Sequence, residues 1–318
     1  MIDRSEDFER LFEGVVNRDN IVLSGDAGMG KSYLVEQLVQ RLSGRRFCFE
    51  INLRGIQSSH ELLYTLLNHI NDAAEESYNL KYQLKRILDE RPVPLEVDHD
   101  GFIGWLKDLL VGLQNVSLDF LFVFEDVDQW EGKKSLVPAL EHFLSARNSQ
   151  ALVTTANHID QLAGYTHFRL SPLKIEDLRL SDDSQSERVE RMLQLTGGNT
   201  AFFLELMAQD RSQSPNQALN AVLEKYHALF YNFRHRFTAL QWKLLLAIAS
   251  EGSVMHPHAF EFLINYRLGA ASSVERALRN LSDTGIIKQK EAGWQVADVR
   301  FGRWLVKLYP QFQGVTQN

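Results

Sequence analysis

The eight residues Gly25-Asp26-Ala27-Gly28-Met29-Gly30-Lys31-Ser32 constrain this chain more than any other feature. They follow a short apolar run, Ile21 to Ser24. They precede a helical pattern in which Leu34, Val35, Leu38, Val39 and Leu42 share one face. A strand, a glycine-rich turn and an amphipathic helix in this order are the context that the pattern G-x-x-x-x-G-K-[ST] requires. The glycines allow backbone angles that bring several N–H groups round one phosphate. The helix start adds its positive dipole end. Lys31 is expected to reach the β- and γ-phosphates of a nucleotide, and the Ser32 hydroxyl to ligate Mg²⁺. Gly25 to Tyr33 are thus the candidate nucleotide-binding residues.

A second signal is the run Leu121-Phe122-Val123-Phe124 leading into Glu125-Asp126-Val127-Asp128. Parallel α/β sheets bind ligands at the carboxyl ends of their strands. Phosphate-loop enzymes place there one acid for Mg²⁺ and often a neighbour that orients the attacking water. Register assigns Glu125 to the metal side and Asp126 to the water side, because successive strand side chains point to opposite faces. The shorter Asp126 predicts slow turnover. A third element, Ala151 to Asn157, is expected to place the Asn157 amide where it senses the γ-phosphate. Lys31, Glu125, Asp126 and Asn157 are the candidate catalytic residues, with Ser32 and Glu125 on the metal. Arg147 and Arg169 are candidates for an arginine supplied to a neighbouring subunit.

Composition narrows the class. Of 318 residues 44% are hydrophobic and 24% charged, enough apolar material for more than one core. The single cysteine, Cys48, excludes an internal disulfide framework and favours a reducing compartment. The opening residues carry acids rather than an apolar signal segment, and no apolar run approaches bilayer length. The expected location is cytoplasmic, without a membrane. Residues 228–318 hold 11 Lys/Arg against 6 Asp/Glu, whereas the whole chain holds 34 against 41. A basic end on an acidic chain is compatible with a nucleic-acid module, and equally with packing against the acidic part.

Alternating strand and helix patterns up to Pro172 predict a parallel sheet covered on both faces. The polar stretch from Ala73 to Val97 reads as a helix and surface excursion outside the core. After Pro172 the patterns are helical. The expected division is an α/β core over 1–172, a small helical lid over 173–227 and a winged-helix domain over 228–318. In the last part, helices beginning at Thr238, near His258 and near Leu268 precede a hairpin around Glu291-Ala292-Gly293. Ser272 and Glu275 match a capping box for the third helix. Val274, Ala277, Leu278 and Leu281 form its buried stripe, which leaves Ser273, Arg276, Arg279 and Asn280 outward. These four, with Lys288 and Lys290 on the wing, are the candidate DNA contacts. His256 and His258 lack a third ligand and read as surface residues.

In their order these segments resemble the AAA-like ATPases of the archaeal-ATPase and STAND type. Asp3-Arg4 resembles the family's segment beside the adenine, and FEDVDQ its strand end with the two acids exchanged. TTANHIDQL resembles its first sensor region, and FRLSPLKIEDL the segment leading into its lid. LTGGNTAFFLELMA resembles the lid motif, with Thr200 where proline is usual and no sensor arginine beside it. Asp298, Phe301, Trp304 and Leu305 resemble its closing segment and read as packing residues. The resemblance implies ATP as the nucleotide, held between core and lid. It further implies an ATPase of slow turnover acting as a switch, with duplex DNA as the favoured partner and a homo-oligomer or protein partner expected. The alternative is an ATP-dependent oligomerising signalling or scaffold protein that recruits a protein. A nucleotide-binding module without useful turnover is the third reading.

Overall fold

The computed structural model describes residues 2–94, 96–130, 133–156, 159, 161–178, 186–210 and 212–310. The chain divides into two compact units that meet between Ser171 and Pro172. The first unit runs α1 (Ser5–Val16), β1 (Ile21–Ser24), α2 (Lys31–Leu42), β2 (Phe47–Asn52), α3 (Ser59–Ala74), α4 (Tyr78–Glu90), α5 (His99–Leu113), β3 (Phe120–Glu125), α6 (Lys133–Glu141), β4 (Ser149–Thr155) and β5 (Thr166–Arg169). The second unit runs α7 (Ser186–Thr196), α8 (Thr200–Met207), α9 (Pro215–Lys225), α10 (His227–Phe233), α11 (Ala239–Glu251), α12 (Phe260–Asn265), α13 (Ala271–Asp283), β6 (Ile287–Lys290), β7 (Gly293–Val296) and α14 (Val299–Leu308).

The first unit is a five-stranded parallel sheet in the order β2-β3-β4-β1-β5. Period-two alternation splits its strands between two cores. Phe120, Phe122 and Phe124 face one side with Phe49, Ile51, Ala151 and Val153, against the helices α3 to α6. Leu121 and Val123 face the other with Ile21, Leu23 and Leu152, against α1 and α2. Each fully buried phenylalanine stabilises the fold by about 2–3 kcal/mol through removal of apolar surface from water.

The chain crosses from β1 to the far edge, steps back through β3 and β4, then passes β1 to reach β5. The strand order reverses at β1, and ligands bind at the carboxyl ends of strands at such a reversal. The phosphate loop leaves β1 there.

The stretch from Ala73 to Val97 is not an excursion outside the core. Ala74, Leu80, Leu84, Ile87 and Val97 are all buried within the larger core. Leu80, Leu84 and Ile87 recur every three or four residues, so α4 buries one stripe while its polar residues cover the rest.

The second unit packs α7 to α10 and a winged helix into one body. Within it α11, α12 and α13 precede the antiparallel hairpin β6-β7. Val254 bridges Trp294 and widens that hairpin. Val274, Ala277, Leu278 and Leu281 are the buried stripe of α13, as their spacing predicts. The capping box Ser272–Glu275 does not form. The helix starts earlier, Ala270 is its N-cap, and no side chain caps it. Capping boxes do form at Ser214–Gln217 and Thr238–Gln241.

Candidate nucleotide site and winged-helix face

The phosphate loop joins the buried strand β1 to α2. Gly30, the N-cap of α2, is left-handed at φ 97°, and Gly28 has φ 81°. A side chain at either position is strained, which explains two of the three glycines. Met29 is buried among Leu23, Leu34 and Leu38 and fastens the loop to the smaller core. Asp26 and Gly28 are half-buried and Ala27 exposed. Gly25 N–H donates to the Thr155 carbonyl (3.1 Å), so the loop starts against the end of β4. Tyr33 is exposed, and its hydroxyl accepts from Gln37 Nε2 (2.8 Å).

Lys31 is buried, and its ammonium donates to the carbonyls of Gly25 (2.6 Å) and Asp26 (3.3 Å). Burial lowers its pKa, and Asp126, Asp128 and Asp26 pull the other way. The ammonium is therefore held by the loop's own carbonyls, whose place a phosphate group would take.

Glu125 ends β3, and its Oε2 accepts a 2.6 Å hydrogen bond from the Ser32 hydroxyl. Asp126, the next residue, is left-handed at φ 57°, an uncommon conformation for a residue other than glycine. Two interactions hold it there. Its N–H donates to Thr154 Oγ1 (3.0 Å), and its carboxylate pairs with Arg54 Nε (2.7 Å). Asp128 accepts from the Ala156 N–H (2.9 Å), so the ends of β3 and β4 are tied together. Thr155 is fully buried opposite Ser24. Asn157 lies outside the described residues.

Two residues near this site carry no local signal in the sequence. Arg54 follows β2 and reaches Asp126 only because β2 and β3 are neighbours. Glu50 of β2 has its pKa raised, by burial first and then by the nearby Glu125 and Glu36. Among the described residues no three His, Cys, Asp or Glu side chains form a self-sufficient metal cage. One or two carboxylates beside a phosphate-binding loop suit Mg²⁺, which keeps waters and phosphate oxygens as its other ligands. Ser32 and Glu125 fit that donor set.

Arg4, beside Asp3, is buried. It pairs with Asp7 (3.0 Å) and donates to the Ser171 carbonyl (3.0 Å), which holds the start of α1 to the end of the first unit. Arg147 and Arg169 are exposed. In the second unit, Gly197 and Gly198 have φ 60° and 71°, and Asn199 caps α8 by accepting from the Phe202 N–H (3.0 Å). Leu173 N–H donates to the Gly198 carbonyl (2.8 Å). The G-G-N-T run thus docks on Leu173 within the second unit.

On the winged helix, Ser273, Arg276, Arg279 and Asn280 are all exposed on one face of α13. Arg279 meets Glu275 at 3.4 Å, a pairing between exposed groups that solvent weakens. The wing lysines are placed differently. Lys288 is half-buried and donates to the Ala297 carbonyl (3.3 Å), and Lys290 is half-buried. His256 and His258 are exposed, with ring centroids 6.5 Å apart. No helix among the described residues is long and apolar enough to cross a membrane.

The sheet order, the phosphate loop at its reversal point and the C-terminal helices define the fold of an AAA-like P-loop ATPase carrying a winged helix. Comparison with known proteins agrees. The family model described as "Probable winged helix domain" matches residues 228–307. A Walker-type ATPase of Pyrococcus abyssi is similar in structure, with TM-score 0.63 and 16% identity over 96% of each chain. The ORC1 protein of Aeropyrum pernix, solved in complex with DNA, has TM-score 0.50 and 14% identity over 96% of this chain and 93% of that one. No curated protein matches the sequence. At these identities the likeness establishes the fold.

Proposed function

We propose that the protein binds Mg-ATP at Gly25 to Tyr33, hydrolyses it slowly, and uses the bound state to govern contact between α13 and duplex DNA. The hydrogen bond between Ser32 and Glu125 is the observation that carries this reading, because it brings the two expected metal ligands together at the loop's mouth. The loop's N–H groups and Lys31 hold the phosphates. Ser32 and Glu125 hold Mg²⁺, which neutralises phosphate charge when bound. Asp126 orients water, and Asn157 is assigned the sensing of the γ-phosphate. Pairing with Arg54 takes the Asp126 carboxylate away from that task, in keeping with slow turnover.

Ser273, Arg276, Arg279 and Asn280 are the assigned DNA contacts. Lys290 and, after release from Ala297, Lys288 add phosphate contacts from the wing. The domain reading of core, lid and winged helix supports the same switch, as does the ORC1 protein solved with DNA.

A second reading is an ATP-dependent oligomer or scaffold that recruits a protein. It is favoured by Met255, Phe260 and Ile264, which leave large apolar side chains exposed on the winged helix. Phosphate release and particle size, measured with ATP and with or without duplex DNA, separate the two. DNA-stimulated release supports the first. Nucleotide-dependent assembly without DNA affinity replaces it with the second.

A further inference from the structure

The helix α14 reaches back along the second unit with nearly every turn. Arg300 Nη1 donates to Glu205 Oε1 of α8 (2.9 Å) and lies 3.3 Å from the Tyr226 hydroxyl. That hydroxyl bonds both oxygens of Glu205 at 3.0 Å, and the Arg300 guanidinium lies over the Tyr226 ring. One turn on, Arg303 donates to the carbonyls of Leu195 (2.9 Å) and Gln194 (3.0 Å), at the negative end of α7. Trp304 Nε1 donates to His227 Nδ1 (3.3 Å). Phe301 and Trp304 pack on Phe230 of α10, with ring centroids 5.2 and 5.7 Å apart. Toward the winged helix, the same two rings meet Trp242 of α11 at 6.3 and 6.4 Å.

We infer that Arg300 is a positioning residue that locks α8 to the winged helix, so that α8 and the winged helix turn as one body and α13 follows any displacement of α8. The apolar packing of Phe301 and Trp304 supplies most of the adhesion but is tolerant of sliding. The joint among Glu205, Tyr226 and Arg300 is directional, because one guanidinium nitrogen and a phenol converge on one carboxylate. Tyr226 is kept in its donating form, since burial and then the hydrogen bond to Glu205 raise its pKa. The consequence for signalling rests on the proposed nucleotide switch; the mechanical statement does not.

Native-state hydrogen exchange on the full chain tests the joint. In the wild type, slow amides of α8 and α11 are expected to open together along a urea series. Arg300→Met is expected to speed exchange in α8 at least about tenfold relative to α11 and α13. Glu205→Gln keeps the packing volume and is expected to show a smaller separation in the same direction, so the comparison survives if Arg300→Met folds poorly. Independent opening of α8 and α11 in the wild type overturns the inference, as does joint opening in both variants.

A functional arm uses the same proteins. Arg300→Met is expected to keep the wild-type affinity for Mg-ATP while the ATP-induced change in duplex affinity falls to onefold. Retention of the full change overturns the positioning role. Absence of any ATP effect on DNA in the wild type refutes the proposed switch instead, and the exchange data then decide the joint alone.

Discussion

The Ser32 hydroxyl donates a 2.6 Å hydrogen bond to Oε2 of Glu125, joining the first turn of α2 to the end of β3. The position proposed for the metal-side acid is therefore a glutamate whose side chain reaches the loop. Glu125→Gln is expected to weaken Mg²⁺-dependent ATP binding by about tenfold, in line with the ~1.5 kcal/mol of a charged hydrogen-bond partner. Titration of ATP with and without Mg²⁺ checks this. A variant whose Mg²⁺ dependence equals the wild type's removes Glu125 from the metal.

Asp126 is held left-handed and paired with Arg54, so the water orientation proposed for Asp126 would compete with the ion pair for one carboxylate. Arg54→Met is expected to raise kcat several-fold. Asp126→Asn is expected to lower it at least about tenfold, a modest general-base contribution, with Kd for ATP unchanged. Arg54 is 63% exposed, so loss of the pair is expected to cost no more than about 1 kcal/mol of stability. Unaltered turnover in both variants would take Asp126 out of the reaction.

Lys31 carries a pKa lowered by burial from the usual 10.5, with Asp126, Asp128 and Asp26 opposing the shift. Between the lowered value and 10.5 the unfolded chain holds a proton that the folded chain has lost. Stability from this group therefore rises with pH across that window. In ligand-free protein, Lys31→Met is expected to remove the rise and not to lower the urea midpoint at neutral pH, because the buried ammonium is desolvated. Urea midpoints of the two proteins from about pH 7 upward decide it; a clear loss of neutral-pH stability in the variant contradicts the account.

Gly198 must be glycine for two reasons. Its φ is 71°, and a Cβ there would lie 2.6 Å from the Leu173 carbonyl oxygen and 2.7 Å from Pro172 Cβ. Gly198→Ala is expected to cost roughly 2–4 kcal/mol, as overlap with backbone adds to left-handed strain. Gly252 has φ 74° but open space around it, so Gly252→Ala is expected to cost only about 1 kcal/mol. Chemical denaturation of both variants provides the comparison, and equal losses would contradict it.

The face of α13 predicts a salt signature. Arg276→Ala/Arg279→Ala is expected to reduce the slope of log K against log salt for duplex DNA by up to about 2, roughly one for each phosphate that an arginine no longer neutralises. Equal slopes for variant and wild type would place the DNA interface elsewhere.

The sequence was most readable where one local rule governs a segment. The apolar runs Ile21–Ser24 and Phe120–Phe124 are strands because both of their faces are covered. Gly28 and Gly30 are glycine because the loop needs positive φ. The α4 stripe was hidden by polar residues and by Pro92 and Pro94, although Leu80, Leu84 and Ile87 keep helical spacing. Ser272 and Glu275 matched a capping box by type alone, but the chain turns into the helix two residues earlier. A capping box does form between Thr238 and Gln241. The place of β4 between β1 and β3, and the pairing of β2 with β3 that brings Arg54 to Asp126, depend on strand order, and local patterns do not encode strand order.

The most direct test of the central claim is calorimetric titration of Mg-ATP into the wild type and Lys31→Ala. One site per chain in the wild type, with affinity at least about tenfold weaker in the variant, is the expected result, since Lys31 offers a charged donor worth ~1.5–3 kcal/mol. Equal affinity in the two proteins, or no uptake by the wild type, contradicts a phosphate-binding role for the loop from Gly25 to Ser32.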